Sequence, residues 1–200
     1  MRSVGENLLK FVPNFTVIDL ETTGRSNKFE DVTELSAIKY RNYKQVDAFS
    51  TLVKPNNSIL PFVVELTGIT EEMVADAPKI EDVIEAFVQF IDSDIILGHN
   101  VMFDFGLVYD AYFATTGLRM HNDYVDTLRV SRLLNKDSKN HKLETLCKYF
   151  NVERLVGHRG SEDCIQTAQV YIKMKDKYKA LKQQHQEKPP KVYPVEKGGE

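Results

Sequence analysis

Two acidic residues interrupt an apolar, β-branched stretch near the start of the chain, within TVIDLETTG at residues 16–24. This run predicts a buried β-strand that leads into a turn. Because side chains alternate across a strand, Asp19 and Glu21 should share one face, roughly 6.5 Å apart along the chain. Buried carboxylates are unfavourable unless a cation neutralises them, and hard divalent ions prefer oxygen ligands. The pattern is compatible with a site for Mg²⁺ or Mn²⁺, but taken alone it indicates a strand end that bears solvated acids.

The remaining sequence predicts an α/β domain. Two further strands, at residues 32–40 and 43–53, are joined near Arg41 and Asn42 as a hairpin, and prolines mark a loop at residues 55–61. Apolar runs then predict strands at residues 95–97 and 124–127. A short helix is predicted to begin at Thr70, and periodicity and capping residues predict five more, at residues 79–92, 101–116, 128–134, 143–150 and 161–178. A hairpin followed by alternating strands and helices indicates a mixed sheet with helices on both faces.

The length of 200 residues allows one domain, predicted over residues 1–180, and a tail. Residues 181–200 are rich in Gln, Lys, Pro and Gly without an apolar period, which predicts disorder. No apolar run is long enough to span a membrane, and residues 1–10 lack a signal-peptide layout, so a cytoplasmic location is expected. Cys147 and Cys164 are accordingly expected to be buried, reduced thiols.

Two later blocks combine histidine with an acid. GHNVMFD, at residues 98–104, follows an apolar run, and GHRGSED occupies residues 157–163. Together with Asp19-Leu20-Glu21, these blocks resemble, in order, the three motifs of the DEDD exonuclease superfamily. The position of His158 relative to Asp163 resembles the histidine branch, the DnaQ-like exonucleases, which includes the proofreading epsilon subunit of DNA polymerase III and RNase T. The resemblance implies a ribonuclease H-like fold.

Smaller signatures extend the resemblance over about residues 10–175: Glu34 in the second strand, TGIT at residues 67–70, DAP at residues 76–78 and HKLETL at residues 141–146. Asp126 resembles a recurrent aspartate of the family and is interpreted as structural rather than as a metal ligand. His99 is interpreted as ordering its turn.

Four acids and one histidine take catalytic roles by resemblance. Asp19, Glu21, Asp104 and Asp163 would hold two divalent ions, Mg²⁺ or Mn²⁺, with Asp19 between both ions and Asp104 acting through water. His158 would accept a proton from the attacking water, as a histidine of near-neutral pKa can do. Without the resemblance, Asp104 and Asp163 would be interpreted as solvated helix acids and His158 as a surface loop histidine.

Substrate contacts are also implied by the resemblance. The 3′-terminal nucleotide would lie against six residues: Thr22, Thr23, Gly24, Thr67, Asn100 and Phe103. The alternative for the Thr-Thr-Gly segment is an ordinary turn. Three positions depart from the family pattern: Arg25 replaces an apolar residue, Thr67 replaces a frequent histidine, and Phe62 replaces an acid of the epsilon subunit. None of these departures removes a metal ligand, and all of them leave base preference open.

The resemblance implies a metal-dependent 3′→5′ exonuclease that releases nucleoside 5′-monophosphates, with single-stranded DNA or DNA 3′ ends as substrate. The net charge of −3 does not exclude this function, since metal ions rather than a basic face can meet the phosphate. A proofreading or repair role fits, with a DNA polymerase subunit on a separate chain as a candidate partner. Two alternatives remain: an RNA 3′-end trimming enzyme of the RNase T kind, and a non-catalytic domain that binds 3′ ends or docks on a polymerase. The intact acids and His158 argue against the second.

Overall fold

The computed structural model describes residue 2 and residues 4–24, 31–153 and 159–186. For residues 185 and 186 it describes the backbone only. Its strands are β1 (Phe15–Thr22), β2 (Val32–Arg41), β3 (Lys44–Leu52), β4 (Ile96–Gly98) and β5 (Tyr124–Asp126). Its helices are α1 (Pro61–Thr67), α2 (Glu71–Val74), α3 (Ile80–Ile91), α4 (Met102–Thr116), α5 (Thr127–Leu134), α6 (Leu143–Phe150) and α7 (Gly160–Gln186). No helix in these described ranges is long and apolar enough to cross a membrane.

The five strands form one mixed sheet in the order β3-β2-β1-β4-β5. The pairs β1–β2 and β2–β3 are antiparallel, whereas β1–β4 and β4–β5 are parallel. The β2–β3 turn places Asn42 and Tyr43 at φ 51° and 62°, the left-handed conformation that tight hairpin turns require. The predicted hairpin is therefore confirmed, and β1 lies at the centre of the sheet.

Helices cover both faces of the sheet, as predicted. Along β1, Phe15 and Val17 pack into a core cluster with residues of α5, α6 and α7. The alternating residues Ile18 and Leu20 pack into a second cluster with α3 and α4. The apolar side chains of β1 thus alternate between two apolar layers, which are the main source of stability for a fold of this kind.

The prediction missed one helix. Residues 55–61 were interpreted as a loop, but Pro61 is at the first position of α1, where its missing N–H and fixed φ are favourable. The helix ends at Gly68, whose φ of 71° suits glycine. With only 7 residues, α1 is too short to display a helical period in the sequence.

The last helix is longer than predicted. It begins at Gly160, whereas the sequence indicated Ser161, and it continues to Gln186, past the expected end near Tyr178. Residues 179–184 are mostly exposed and consist of good helix formers. They extend the helix without producing an apolar stripe in the sequence. The predicted domain end at residue 180 therefore falls inside α7, and the predicted disorder beyond residue 186 lies outside the described residues. The expectation for the cysteines is confirmed, since Cys147 and Cys164 are both buried and neither forms a disulfide.

Candidate active site

Three carboxylates from two elements converge beside β1. Asp19 and Glu21 project toward the face that α7 covers, since they alternate with Ile18 and Leu20 on the opposite face. Asp163 lies in the first turn of α7. One carboxylate oxygen from each of Asp19, Glu21 and Asp163 lies within 4.8 Å of the other two. The structure thus brings together three of the four acids that the sequence predicted to bind metal.

Close packing of the α7 N-terminus makes this convergence possible. A Cβ atom on Gly160 would lie 2.7 Å from the Ser36 hydroxyl and 3.1 Å from the Asp19 carbonyl oxygen. A larger residue would push α7 away from β1 and β2. One turn further on, Cys164 is fully buried, with its sulfur 3.8 Å from the Val17 carbonyl oxygen. Gly160 therefore sets the distance between Asp163 and the β1 acids.

A buried ion pair fixes the same helix start. Glu34 of β2 is 1% exposed and lies directly opposite Glu21 in the sheet. It accepts hydrogen bonds from Arg159 Nε and Nη2 at 3.1 and 2.7 Å, and from the Gly160 N–H at 3.0 Å. Such charge-assisted, two-point pairing is strong and directional. We call this set, Glu34 with Arg159 and Gly160, the Glu34 clamp.

The Glu34 clamp was not identified from the sequence, although Glu34 was noted as a family signature. One signal was available: Glu34 interrupts an apolar β2 strand, and a buried acid requires a cationic or hydrogen-bonding partner. The partner lies 125 residues away along the chain. No local pattern could have singled out Arg159 among the basic residues of the second half.

The fourth predicted acid, Asp104, reaches the site from α4. It lies in the first turn of that helix and is 7% exposed. Its Oδ1 accepts a hydrogen bond from the Leu20 N–H at 3.1 Å, at the backbone between the two β1 acids. Among the described residues, the compact group of three acids does not include Asp104. The expected action of Asp104 on a second ion through water stays a prediction.

The acids disfavour each other's ionisation. Burial, followed by the charges of Asp104 and Glu21, raises the pKa of Asp19 well above its usual value. Burial and the neighbouring Asp163 and Glu34 carboxylates raise the pKa of Glu21 to about 8, although Arg159 opposes the shift. Burial raises the pKa of Asp104 to about 7. A divalent cation would remove the repulsion, so this all-oxygen donor set fits a hard ion such as Mg²⁺ or Mn²⁺.

The segment after β1 is an ordered turn. The Thr22 hydroxyl donates to the Gly24 carbonyl oxygen at 3.0 Å, and the Thr23 hydroxyl accepts from the Asp31 N–H at 3.2 Å. The Thr23 carbonyl oxygen accepts from the Leu60 N–H at 3.2 Å, which ties the turn to the start of α1. Both threonines are buried and are hydrogen-bonded within the protein, as the alternative of an ordinary turn also requires. The contact of this turn with substrate stays a prediction.

Asn100 and Phe103 lie at the β4–α4 connection, shortly before Asp104 in the chain. Asn100 has a φ of 62°, its side chain is exposed, and its carbonyl oxygen accepts from the Phe103 N–H at 3.1 Å. The Asn100 N–H donates to Asp126 at 3.0 Å, and Asp126 also caps α5 by accepting from the Leu128 N–H at 2.9 Å. The structural interpretation of Asp126 is therefore confirmed. Asn100 and the half-buried Phe103 remain predicted substrate contacts.

Thr67 has a clear role inside the protein. It is 4% exposed, and its hydroxyl donates to the Val63 carbonyl oxygen at 2.9 Å and accepts from the Ile69 N–H at 3.1 Å. These bonds hold the C-terminal end of α1 against the following turn. The Thr67 hydroxyl therefore has both a donor and an acceptor role inside the protein. Direct recognition of a nucleotide by Thr67 stays a prediction.

Of the two histidines that the sequence motifs singled out, His99 lies within the described residues. His99 shares a hydrogen bond of 2.9 Å with the Thr127 hydroxyl, which itself donates to the Gly98 carbonyl oxygen. Burial lowers the pKa of His99, which favours the neutral ring. The interpretation of His99 as a residue that orders its turn is therefore confirmed. His158 and Arg25 lie outside the described residues.

Comparisons with known proteins agree with the geometry. The sequence profile of the RNase T exonuclease family matches residues 16–171. The chain is 41% identical over 177 residues to a PolC-type DNA polymerase III from Caldanaerobacter subterraneus subsp. tengcongensis, which covers 88% of this chain and 13% of that relative. It is 38% identical over 161 residues to the PolC-type enzyme of Bacillus subtilis, covering 80% of this chain and 11% of the relative. The chain thus spans only about an eighth of these relatives or less.

Solved structures show the same fold. Exonuclease X in complex with 5′ overhanging duplex DNA superposes with a TM-score of 0.64 and 29% identity, covering 81% of this chain and 91% of that one. E. coli exonuclease I in complex with a dT13 oligonucleotide superposes with a TM-score of 0.71 at 18% identity, covering 86% of this chain and 43% of that one. The predicted ribonuclease H-like α/β fold is confirmed.

Proposed function

The chain belongs to the RNase T exonuclease family, within the DEDD superfamily of 3′→5′ exonucleases, and from this membership we propose that it shortens single-stranded DNA from its 3′ end. The products would be nucleoside 5′-monophosphates. The observation that carries the proposal is the convergence of Asp19, Glu21 and Asp163 within 4.8 Å, with Asp104 anchored beside them. A domain that only binds 3′ ends would not need to keep mutually repelling acids in one place.

Divalent metal dependence is general in this family, and the carboxylate cluster provides for it here. We assign Asp19, Glu21 and Asp163 to one ion and Asp19 with Asp104 to a second, with Mg²⁺ or Mn²⁺ as the metal. When bound, such ions stabilise negative charge on the phosphate and make water a better nucleophile. The four carboxylates orient this chemistry, and they are preorganised because β1, α4 and α7 are each packed in the core.

Proton transfer is assigned to His158. This histidine would accept the proton of the attacking water, which a side chain titrating near neutrality does efficiently. The adjacent Arg159 is committed to Glu34, so the Glu34 clamp positions the start of α7 instead of contacting the phosphate. Five residues that neighbour the acids in the sequence are proposed to bind the terminal nucleotide: Thr22, Thr23, Gly24, Asn100 and Phe103.

We propose DNA rather than RNA as the substrate because of what the relatives are, not because of a contact in the described residues. The PolC-type relatives are DNA polymerases by name, and the solved structures of exonucleases X and I contain DNA. Trimming of RNA 3′ ends, as the RNase T name suggests, is the second candidate. A polymerase on the same or another chain is the proposed partner, and the cytoplasm is the proposed location.

Matched 5′-labelled DNA and RNA oligomers, digested with Mg²⁺ or Mn²⁺ and separated as ladders, test the proposal. We expect stepwise shortening of DNA from the 3′ end, slower shortening of RNA, and no product in EDTA or with the Asp19→Ala variant. The variant Asp47→Ala, which removes an exposed acid of β3, is the matched control and should act as wild type. Faster digestion of RNA would replace the DNA proposal, and binding without any product would replace it with a docking or end-binding role.

A further inference from the structure

A second concave surface lies at the opposite end of α7. This groove of about 540 Å³ runs between α5, the C-terminal half of α7 and the segment before β1. Its position near Lys179 is roughly 24 Å along α7 from Asp163, given the rise of a helix. We call this surface the α7 groove. It differs from the active site in its position along α7 and in its lining residues.

The α7 groove has an apolar floor that remains open to solvent. Leu133 of α5 and Leu9 of the N-terminal segment line it, and they are 58% and 52% exposed. Val130 and Leu134 form the deeper part of the same surface. Adjacent aliphatic side chains exposed in one concave place are characteristic of a binding surface, whereas single exposed leucines are ordinary.

The rim of the α7 groove is positively charged. The described lining residues include no carboxylate but four lysines: Lys10, Lys175, Lys179 and Lys182. Lys175 is paired with Asp176 at 3.2 Å. Within the described part of the chain, no ion pair joins the other three to an acid. A basic rim around an aliphatic floor, in a chain whose net charge is −3, complements a ligand that is both acidic and apolar.

The aromatic residues of the α7 groove are already engaged, which disfavours nucleic acid as the ligand. The Lys175 ammonium lies 4.1 Å from the centre of the Tyr43 ring, and the Lys182 ammonium lies 5.0 Å from that of Tyr178. Phe11 packs against Tyr178 with ring centres 5.6 Å apart. Single-stranded nucleic acid binds to open aromatic faces along an extended basic track. A compact aliphatic floor, whose neighbouring rings already contact lysines or each other, suits a peptide instead.

We propose that the α7 groove binds an acidic segment of another protein, which inserts apolar side chains against Leu9 and Leu133 and places its carboxylates beside Lys10, Lys179 and Lys182. Affinity would come from the buried apolar side chains, and the lysines would set specificity and salt dependence. The site is independent of the exonuclease reaction.

Fluorescence anisotropy with the whole chain tests this proposal. The probe is a labelled peptide of aspartates and glutamates that carries one leucine and one phenylalanine. We expect saturable binding that weakens with salt, at least about a tenfold loss when both apolar residues of the peptide are changed to serine, and a similar loss for Leu133→Ser or Lys179→Glu. The exonuclease rate of both protein variants should equal that of the wild type.

Two matched substitutions serve as controls. Leu118→Ser removes an equally exposed leucine at the end of α4, and Lys173→Glu reverses an exposed charge on α7 outside the α7 groove. Both should bind the peptide as tightly as the wild type. The proposal is overturned by failure of the acidic peptide to bind, or by equal weakening in the controls. It is also overturned if oligothymidylate competes for the site and its binding depends on Lys179 but not on Leu133, since the groove would then bind DNA.

Discussion

The two ends of α7 present opposite charge and opposite degrees of burial. At its N-terminus, Asp163 faces Asp19 and Glu21, and the Glu34 clamp holds the helix against the sheet. Toward its C-terminus, residues 178–180 are exposed and lysines line the α7 groove. The buried end can hold repelling charges in place only because packing around Gly160 and Cys164 fixes it. The exposed end shows the reverse arrangement, in which charge is solvated and geometry is free to adapt to a partner.

Removing an acid at the buried end should have the largest effect. Asp104→Ala is expected to reduce the exonuclease rate by at least about three orders of magnitude, because the site loses several kcal/mol of charge stabilisation. The fold should survive, since one of several repelling acids is removed. Single-turnover rates and circular dichroism measure the two effects, with Asp47→Ala as control. A folded Asp104→Ala protein of normal activity would contradict the assignment.

Loss of the proposed base should come next. His158→Ala is expected to lower turnover by about two to three orders of magnitude while oligonucleotide affinity stays close to that of the wild type. The acid limb of the rate–pH profile should change, and higher pH should partly restore the rate because hydroxide becomes more abundant. Single-turnover rates against pH in Mg²⁺ provide the measurement. Parallel profiles combined with weaker substrate binding would make His158 a contact residue.

Breaking the Glu34 clamp should reduce the exonuclease rate less than loss of an acid or of His158, because the clamp acts on the site only by positioning α7. Glu34→Gln removes the charge that pairs with Arg159, and we expect a loss of about 1–3 kcal/mol in the free energy of unfolding. The exonuclease rate should fall by about one order of magnitude, because α7 no longer holds Asp163 at a fixed distance from β1. Urea denaturation and initial rates test both expectations. Glu85→Gln, an exposed change on α3, is the control and should alter neither quantity.

Stability without metal should depend on pH mainly through the two raised carboxyl pKa values at the buried end, which outweigh the opposite effect of the lowered pKa of His99. The pKa of Glu21 is raised from 4.5 to about 8 and that of Asp104 from 3.8 to about 7, so the native protein holds more protons than the unfolded chain between these values. Its free energy of unfolding in EDTA should therefore fall as pH rises from about 5 to about 8, and then level off. Asp19, Asp163, Glu34 and Arg159 are the charged groups that act on these two carboxylates or lie beside them.

Urea denaturation in EDTA at a series of pH values measures this dependence. Mg²⁺ should stabilise the protein more at the upper end of the range, where the carboxylates are ionised. The Lys179→Glu variant should show the same curve as the wild type, because its charge is at the exposed end. Stability in EDTA that rises with pH over this range would mean that the acids are not strained in the metal-free protein.

Only part of the buried end can be predicted from local signals, because Asp104 and Asp163 stand out only through the family resemblance. Asp19 and Glu21 share a strand, and the helices at residues 80–91 and 102–116 show clear periods or caps. The Glu34–Arg159 pair could not be predicted, since it depends on how distant segments pack. The short α1 was missed because its prolines and polar neighbours resemble a loop. The end of α7 was misplaced because exposed helical turns leave no apolar pattern.

The central claim is that the acids at the N-terminus of α7 form a divalent metal site. Isothermal titration of Mn²⁺ into the metal-free protein tests this claim most directly, with Asp163→Asn and the exposed control Asp47→Asn titrated in parallel. We predict that Asp163→Asn weakens Mn²⁺ binding by at least about tenfold and that Asp47→Asn leaves it unchanged. Equal Mn²⁺ affinity in the wild type and in folded Asp163→Asn would contradict the claim.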